Sequence, residues 1–502
     1  MKRSIAEIMT WSGVKFGTSG ARGLATEMTD LVCYSYARGF LQYLSTVGEL
    51  TAPGTGVIVG GDFRPSSDRI MAAVFRAILD LGYTPVNGGK VPSPALALWG
   101  LEHTIPAIMV TGSHIPDDRN GIKFNKVTGE ILKDDEAGMT EQVVEWEDTL
   151  FDDQGMFRDA ASVPPVDLAP KTAYVRRYLD GFPGAPLAGL RIGVYQHSAV
   201  GRDVITEILG GLGAEVVALG RSERFIPVDT EAIRPEDVEL AREWAAKEPL
   251  DALVSADGDS DRPLVSDAHG EWLRGDVAGI LCARFLEADS VTTPVSSNTA
   301  VERCGWFPEV RRTRIGSPYV VASMALAARE GRRRAVGYEA NGGFLIQSDL
   351  APMGRPLRAL PTRDAVIVML GVLLLARKER TTVAKLVATL PARFTASDRL
   401  KDFATEKSRA ILERFSGTDD ARARLALDAL FGESVGAETA SIDRTDGVRA
   451  TFANGEIIHL RPSGNAPEFR CYTEAATPER AADLCRRTLE RLRRGAGDPE
   501  LD

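Results

Sequence analysis

Between residues 55 and 338, short β-branched runs alternate with longer amphipathic stretches, and no other property constrains the fold of this chain as tightly. Residues 55–62 (TGVIVGGD) predict a strand. Residues 65–81 predict a helix with Pro65 at its start, where a missing N–H costs little. A second buried strand is expected at 107–111. After Val163-Pro164-Pro165 the theme restarts, with strands at 190–195, 214–219 and 251–256 and helices at 202–212 and 235–247. A third round places helices at 276–288 and 318–328 and strands at 291–296 and 334–338. Such alternation argues for parallel sheets covered by helices on both faces. The C-terminal part breaks the rhythm. Strands are expected there at 393–398, 449–452 and 456–460, with Asn454-Gly455 as a hairpin turn, before a charged helix at 477–492.

A chain of 502 residues exceeds one ordinary core, and cuts near 165, 273 and 388 are expected. They give α/β domains at 1–165, 166–273 and 274–388 and a smaller α+β domain at 389–502. The formal charge of −10 argues against general nucleic-acid or anionic-membrane binding. The apolar run at 365–376 is too short to span a bilayer and reads as a buried helix. No apolar core follows Met1-Lys2-Arg3-Ser4, so a cytoplasmic location is expected. Five scattered cysteines without a CxxC pair suit reduced, packed thiols, and five dispersed histidines argue against a transition-metal cluster.

In each α/β round a strand runs straight into a Gly-rich polar loop. The strand at 107–111 meets Gly112-Ser113-His114, the strand at 251–256 meets DGDSDR (257–262), and the strand at 334–338 meets EANGG (339–343). Ligands of open α/β sheets bind at the carboxyl ends of strands, so three such loops can converge on one cleft. Ser113, with Lys123 downstream, suits a hydroxyl that accepts a phosphoryl group, although the same composition also suits a turn satisfying its own hydrogen bonds. Asp257, Asp259 and Asp261 repel one another unless a cation sits among them, and all-oxygen ligation fits Mg²⁺. Arg262 at the sixth position excludes an EF-hand loop. Residues 461–470 (RPSGNAPEFR) offer Arg461, Ser463, Gly464, Asn465 and Arg470, whose guanidinium and amide groups match phosphate oxygens. Residues 16–23 (FGTSGARG) present Thr18, Ser19 and Arg22 among glycines and lack the Gly-Lys-Ser/Thr ending of a Walker A loop. Glu339 and Asn341 suit sugar hydroxyls and equally suit a turn pair.

TGSHIPDDRNGIKF (111–124), DGDSDR (257–262), GYEANGG (337–343) and RPSGNAPEFR (461–470), in this order, resemble the α-D-phosphohexomutase family, and with FGTSGARG the resemblance covers essentially the whole chain. The resemblance implies three domains of one α/β topology with mixed, mostly parallel sheets, plus a smaller C-terminal α+β domain, around a central cleft. It implies a phosphoserine at Ser113 and Mg²⁺ held by Asp257, Asp259, Asp261 and that phosphate. Lys123 and Arg22 lie where the family places groups that assist proton transfer, with Arg262 close by. Glu339 would contact sugar hydroxyls, and the 461–470 loop would grip the phosphate that is not reacting. The implied reaction interconverts hexose 1-phosphate and hexose 6-phosphate through a hexose 1,6-bisphosphate. Mannose is the first choice of sugar; glucose, or both sugars, is the alternative. More distant rivals are a phosphosugar hydrolase and a sugar-phosphate sensor, whose expected damage to the Ser or Asp loop is absent. The sequence departs from the family at Ile115, commonly Asn, and at Asn341-Gly342-Gly343, commonly Ser-Gly-His; no His stands near Arg314–Ser317.

Overall fold

The computed structural model describes residues 1–17, 20–417, 419–463 and 467–495. The chain divides into two compact units, Met1–Val291 with Gly316–Leu386, and Thr292–Ile315 with Val387–Asp502.

In the first unit, strand Gly56–Gly61 lies between Thr84–Lys90 and Ala107–Val110 and runs parallel to both. Val57, Ile58 and Val59 are fully buried, as a central strand covered on both faces requires. Helix Ser67–Asp80 follows it and buries Ile70, Val74 and Ile78 as one stripe at i, i+4, i+8. The second sheet repeats this order. Its first strand, Arg191–His197, lies between Glu215–Arg221 and Ala252–Ala256 and is parallel to both.

In each round the strand that ends in a polar loop is followed by an antiparallel return. Val110 pairs with Ile122, Ala256 with Pro263, and Tyr338 with Phe344. Strands alone therefore hold both ends of each loop, and the sheets are mixed. The first return, Arg119–Lys126, also pairs on its other side with Ala21–Leu24, setting Arg22 opposite Gly121.

The apolar run expected to be a buried helix forms Ala365–Lys378, buried from Ala365 through Ala376. It packs on helix Gly275–Phe285 at Gly371, where a Cβ would lie 2.8 Å from the Cys282 sulfur. Its N-cap, Asp364, accepts the Val366 N–H and the Tyr174 and Tyr178 hydroxyls, fastening helix Ala169–Gly181 to the same core. Among the described residues, no helix is long and apolar enough to cross a membrane.

The second unit carries a five-stranded sheet in the order Phe394–Leu400, Phe469–Ala475, Ile457–Pro462, Val448–Phe452, Thr439–Asp443, antiparallel throughout. Asn454-Gly455 makes the expected turn, with Gly455 at φ 82°. Leu427, Phe431, Leu460, Phe469 and Leu484 are buried together beneath helices Asp420–Val435 and Pro478–Gly495. Helices Asp30–Thr46, Thr405–Ser416 and Asp420–Val435 and strands Thr84–Lys90 and Arg119–Lys126 add to the elements expected from the sequence.

Candidate active site

Ser113 stands just past strand Ala107–Val110, fully buried, at φ 58°. Its N–H donates to Thr111 Oγ1 at 2.8 Å, and Thr111 Oγ1 donates to Asp62 Oδ2 at 2.7 Å. Arg64, itself buried, donates through Nη2 to the carbonyls of Ser113 (2.7 Å) and Ile115 (2.6 Å) and through Nη1 to that of Pro116 (3.2 Å). Gly112 makes room for this guanidinium, since a Cβ there would lie 2.7 Å from the Arg64 Cζ.

The Asp loop meets this turn directly. Ser113 Oγ donates to Asp257 Oδ2 at 2.5 Å, and the other oxygen of Asp257 accepts the N–H groups of Asp261 and Arg262. Lys123 sends Nζ to Asp259 Oδ2 and Asp261 Oδ2, each at 2.5 Å, and Ser93 Oγ also donates to Asp259 Oδ2 at 2.5 Å. Arg363 adds a contact from Nε to Asp261 Oδ2 at 3.0 Å, while Arg262 Nε stands 3.6 Å from Asp261 Oδ1. All three carboxylates are buried.

Burial, reinforced by Asp259 and Asp261, pushes Asp257 up to about 8. Burial acts the same way on Asp261, yet Arg363, Lys123 and Arg262 outweigh it and hold this carboxyl well below its ordinary range. Asp259 too is lowered against its burial and the Asp261 charge, chiefly by Lys123. Desolvation, with Arg262 and Arg363 nearby, draws Arg22 down to about 10. His114, 2.9 Å through Nδ1 from Arg262 Nη1, is lowered to about 3 by desolvation and by that guanidinium. It is neutral at any working pH, with Nδ1 as acceptor.

A divalent cation fits these residues. Asp259 Oδ1 and Asp261 Oδ1 are buried without a hydrogen-bond partner, and one oxygen from each of Asp257, Asp259 and Asp261 lies within 4.8 Å of the others. Hard carboxylate oxygens suit Mg²⁺ rather than a softer metal.

The EANGG loop opens with Glu339, buried, whose Oε1 lies 3.4 Å from Arg363 Nη1. Asn341 Oδ1 accepts the Gly343 N–H at 2.9 Å, and the Asn341 carbonyl accepts from Thr230 Oγ1 at 2.6 Å. Asn341 thus holds the turn by its side-chain oxygen, and Glu339 is the group left to present a carboxylate. In the second unit Arg461 and Arg470 stand directly opposite on adjacent strands, and Arg399 stands opposite Arg470 on the other side. A rank of like charges is unfavourable without anions. Asp446, 3.5 Å from Arg461, and Glu468, 3.0 Å from Arg399, supply part of that charge. Ser463 is buried and donates its N–H to the Glu468 carbonyl. Thr18, Ser19, Gly464 and Asn465 lie outside the described residues.

Ser113, Lys123, Arg262 and the three aspartates therefore meet in the first unit through direct contacts, and Glu339 joins them through Arg363. Arg22 lies within their electrostatic reach, and Arg461, Ser463 and Arg470 belong to the second unit. Sequence reasoning missed Asp62, Arg64, Ser93 and Arg363. A signal existed for the first two, because Asp62-Phe63-Arg64 follows the apolar strand Gly56–Gly61 just as the three loops follow theirs.

Comparison with known proteins gives a consistent family. Descriptions of phosphoglucomutase/phosphomannomutase α/β/α domain I match residues 13–149, domain II 176–270, domain III 274–394 and the C-terminal domain 375–491. A phosphomannomutase of Sinorhizobium fredii is 44% identical over 475 residues, covering 94% of this chain and 97% of its own. A phosphomannomutase of Salmonella muenchen is 41% identical over 494 residues, covering 98% of each. Among solved structures, a phosphoglucomutase/phosphomannomutase family protein of Burkholderia thailandensis matches with a TM-score of 0.71 at 19% identity, covering 96% of this chain and 98% of its own. The N-acetylphosphoglucosamine mutase of Aspergillus fumigatus, solved in complex with GlcNAc-6P and magnesium, matches with a TM-score of 0.61 at 14% identity, covering 99% and 100%.

Proposed function

The chain belongs to the phosphoglucomutase/phosphomannomutase family, and from that premise we propose that it moves a phosphoryl group between O1 and O6 of a hexose, with mannose phosphates as substrates. Ser113 is the carrier. In the forward half, a hexose hydroxyl attacks the phosphorus of phospho-Ser113; its oxygen–phosphorus bond forms as the bond to Ser113 Oγ breaks, and the hydroxyl proton passes to a base. The resulting hexose 1,6-bisphosphate turns over, and Ser113 Oγ attacks its other phosphorus; the bond from that phosphorus to the sugar oxygen breaks, the oxygen takes back a proton, and the phosphoenzyme is restored. Lys123, 2.5 Å from Asp259 and Asp261, and Arg22 supply positive charge to the transferring group and assist the proton's movement. Burial, with Arg262 beside it, keeps His114 neutral next to Ser113.

Asp257, Asp259 and Asp261 would hold Mg²⁺, which when bound neutralises charge on phosphate oxygens. Glu339, with the Asn341 turn behind it, is the clamp for sugar hydroxyls. Arg461, Ser463 and Arg470, with Gly464 and Asn465, are the grip for the phosphate that is not reacting. The partner is thus a small phosphosugar, and the domain limits of 165, 273 and 388 separate the three loops from the phosphate grip.

The observation that carries this reading is the 2.5 Å hydrogen bond from Ser113 Oγ to Asp257, which joins a nucleophile-type hydroxyl to the only cluster of three candidate metal carboxylates among the described residues. Two measurements test it. Intact mass with and without phosphatase should differ by one phosphate in the native chain and not at all in Ser113→Ala, which should also lose mutase turnover by at least about a thousandfold. kcat/KM should favour mannose 1-phosphate over glucose 1-phosphate. A glucose preference above about tenfold overturns the sugar assignment alone, because a single hydroxyl's orientation is read by such modest differences.

A further inference from the structure

We propose that Arg363 is a positioning residue that ties the sugar loop to the metal loop, its guanidinium holding Asp261 Oδ2 and Glu339 Oε1 at the same time. Arg363 is 1% exposed, and it contacts Asp261 through Nε at 3.0 Å and Glu339 through Nη1 at 3.4 Å. A planar fork engages the two carboxylates through two separate nitrogens, Nε and Nη1, held in one fixed plane, where an ammonium offers a single nitrogen.

The contact has a consequence for each loop. On Asp261, Arg363 and Lys123 both occupy Oδ2, which fixes the rotamer and leaves Oδ1 as the oxygen without a hydrogen bond. Arg262 Nε stays at ion-pair distance from that atom, 3.6 Å. Ser93 and Lys123 act on Asp259 in the same manner, occupying Oδ2 and leaving Oδ1. On the sugar loop, Gly343 gives way to the Arg363 stem, for a Cβ there would lie 2.5 Å from its Cδ and 2.7 Å from its Cγ. The loop is therefore built around this arginine as well as paired to it. Arg363 is placed by its chain neighbours, with Thr362 donating to Glu130 and Asp364 capping helix Ala365–Lys378. The same side chain thus orients a ligand of the metal and a ligand of the sugar.

The inference rests on the metal and sugar roles proposed above for Asp261 and Glu339. Its test uses the full chain, Mn²⁺ alone as the metal probe followed by electron paramagnetic resonance, and steady-state kinetics on mannose 1-phosphate. Arg363→Lys keeps the charge and loses the fork. It should weaken Mn²⁺ binding about tenfold and raise KM about tenfold, the scale expected when a group behind a ligand is removed. Glu339→Gln should raise KM and leave the Mn²⁺ affinity within about twofold. In the Glu339→Gln background, Arg363→Lys should add less than about twofold to KM while still weakening Mn²⁺ binding. Mn²⁺ affinity in Arg363→Lys within about twofold of the native chain, or KM effects that simply multiply in the double variant, overturns the proposal. A purely structural ion pair would lower Tm without moving either constant. Should Arg363→Lys fail to fold, Gly343→Ala displaces the same stem and must show the same paired effect. Absence of turnover in the native chain would remove the proposed function, whereas the Mn²⁺ comparison would still uphold or overturn the link between Arg363 and Asp261.

Discussion

At Ser113 the backbone occupies the left-handed region, φ 58°, which a residue with a Cβ keeps only when its surroundings over-determine it. Two contacts do so. Thr111 Oγ1 accepts the Ser113 N–H from below, and Arg64 Nη2 holds its carbonyl from outside while reaching the carbonyl of Ile115 as well. Arg64 is in turn fixed by Asp62 Oδ2 at 3.1 Å and by stacking over the Phe225 ring at 4.0 Å. The nucleophile is thus aimed by an arginine that touches no reacting atom. Arg64→Lys retains a charge for Asp62 but cannot serve several carbonyls from one fork. It should lower kcat by about 10- to 100-fold, because small misplacement of reacting groups costs that much, with a smaller effect on KM. Steady-state kinetics check this, and an unchanged kcat would show that the Ser113 turn keeps its shape unaided. Residues such as Ser93 and Arg363 mark where legibility ended at this scale. Ser113 and the three aspartates each adjoin an apolar strand that announces them, whereas Arg363 meets Asp261 across 102 residues and Ser93 meets Asp259 across 166.

One device recurs among the elements: a parallel strand, a polar loop, and an antiparallel return. It lets two loops approach backbone to backbone. Gly258, in the metal loop, has its missing Cβ 2.6 Å from the Ser113 carbonyl and 3.1 Å from the Phe225 ring. Neither neighbour can yield without shifting the Ser113 turn. Gly258→Ala should therefore cost about 1–3 kcal/mol of stability and drive the Asp257 and Ser113 loops apart. The measurement is paired: a lower Tm, and a kcat reduced about 100-fold in protein that is still folded at the assay temperature. Loss of stability without loss of kcat would show that the loops part elsewhere. The leading strand of each device was legible as a short β-branched run. The first return was not, since Arg119–Lys126 carries Asn120, Lys123 and Asn125, residues that favour loops, and becomes a buried strand because sheet neighbours flank it on both sides. Thr84–Lys90 was hidden by Pro85, Gly88 and Gly89, which an edge strand tolerates. Helix Asp420–Val435 buries only Ala423, Leu427, Phe431 and Val435, one residue per turn, too thin a stripe to stand out among its charges.

Over the whole molecule, the division into two units means that each carries its own acid sensitivity. His459, in the second unit, is 1% exposed; its Nε2–H donates to the Asp446 carbonyl at 2.6 Å, and its Nδ1 is buried without a partner. Burial, opposed by the Asp446 hydrogen bond, lowers it to about 4 from an ordinary value near 6.5. Between those values the unfolded chain binds a proton that the folded unit refuses, so stability rises with pH through this window and falls as pH drops from about 6.5 to 4. One such group contributes a slope of about 1.4 kcal/mol per pH unit in that window. In the first unit His197, lowered to about 4 by burial, and His114, lowered to about 3 by burial and by Arg262, contribute in the same direction. The two units should consequently titrate separately, with the second losing stability on mild acidification through His459. Calorimetric scans between pH 7 and pH 5 read this as separate shifts of their transitions. His459→Gln, which keeps a donor near the position of Nε2 and has no proton to gain, should flatten the pH dependence of the second unit's transition and leave the first unit's unchanged. Equal slopes in the native chain and in His459→Gln would mean that His459 accepts its proton while folded, and the buried, unpartnered Nδ1 makes that the costlier state.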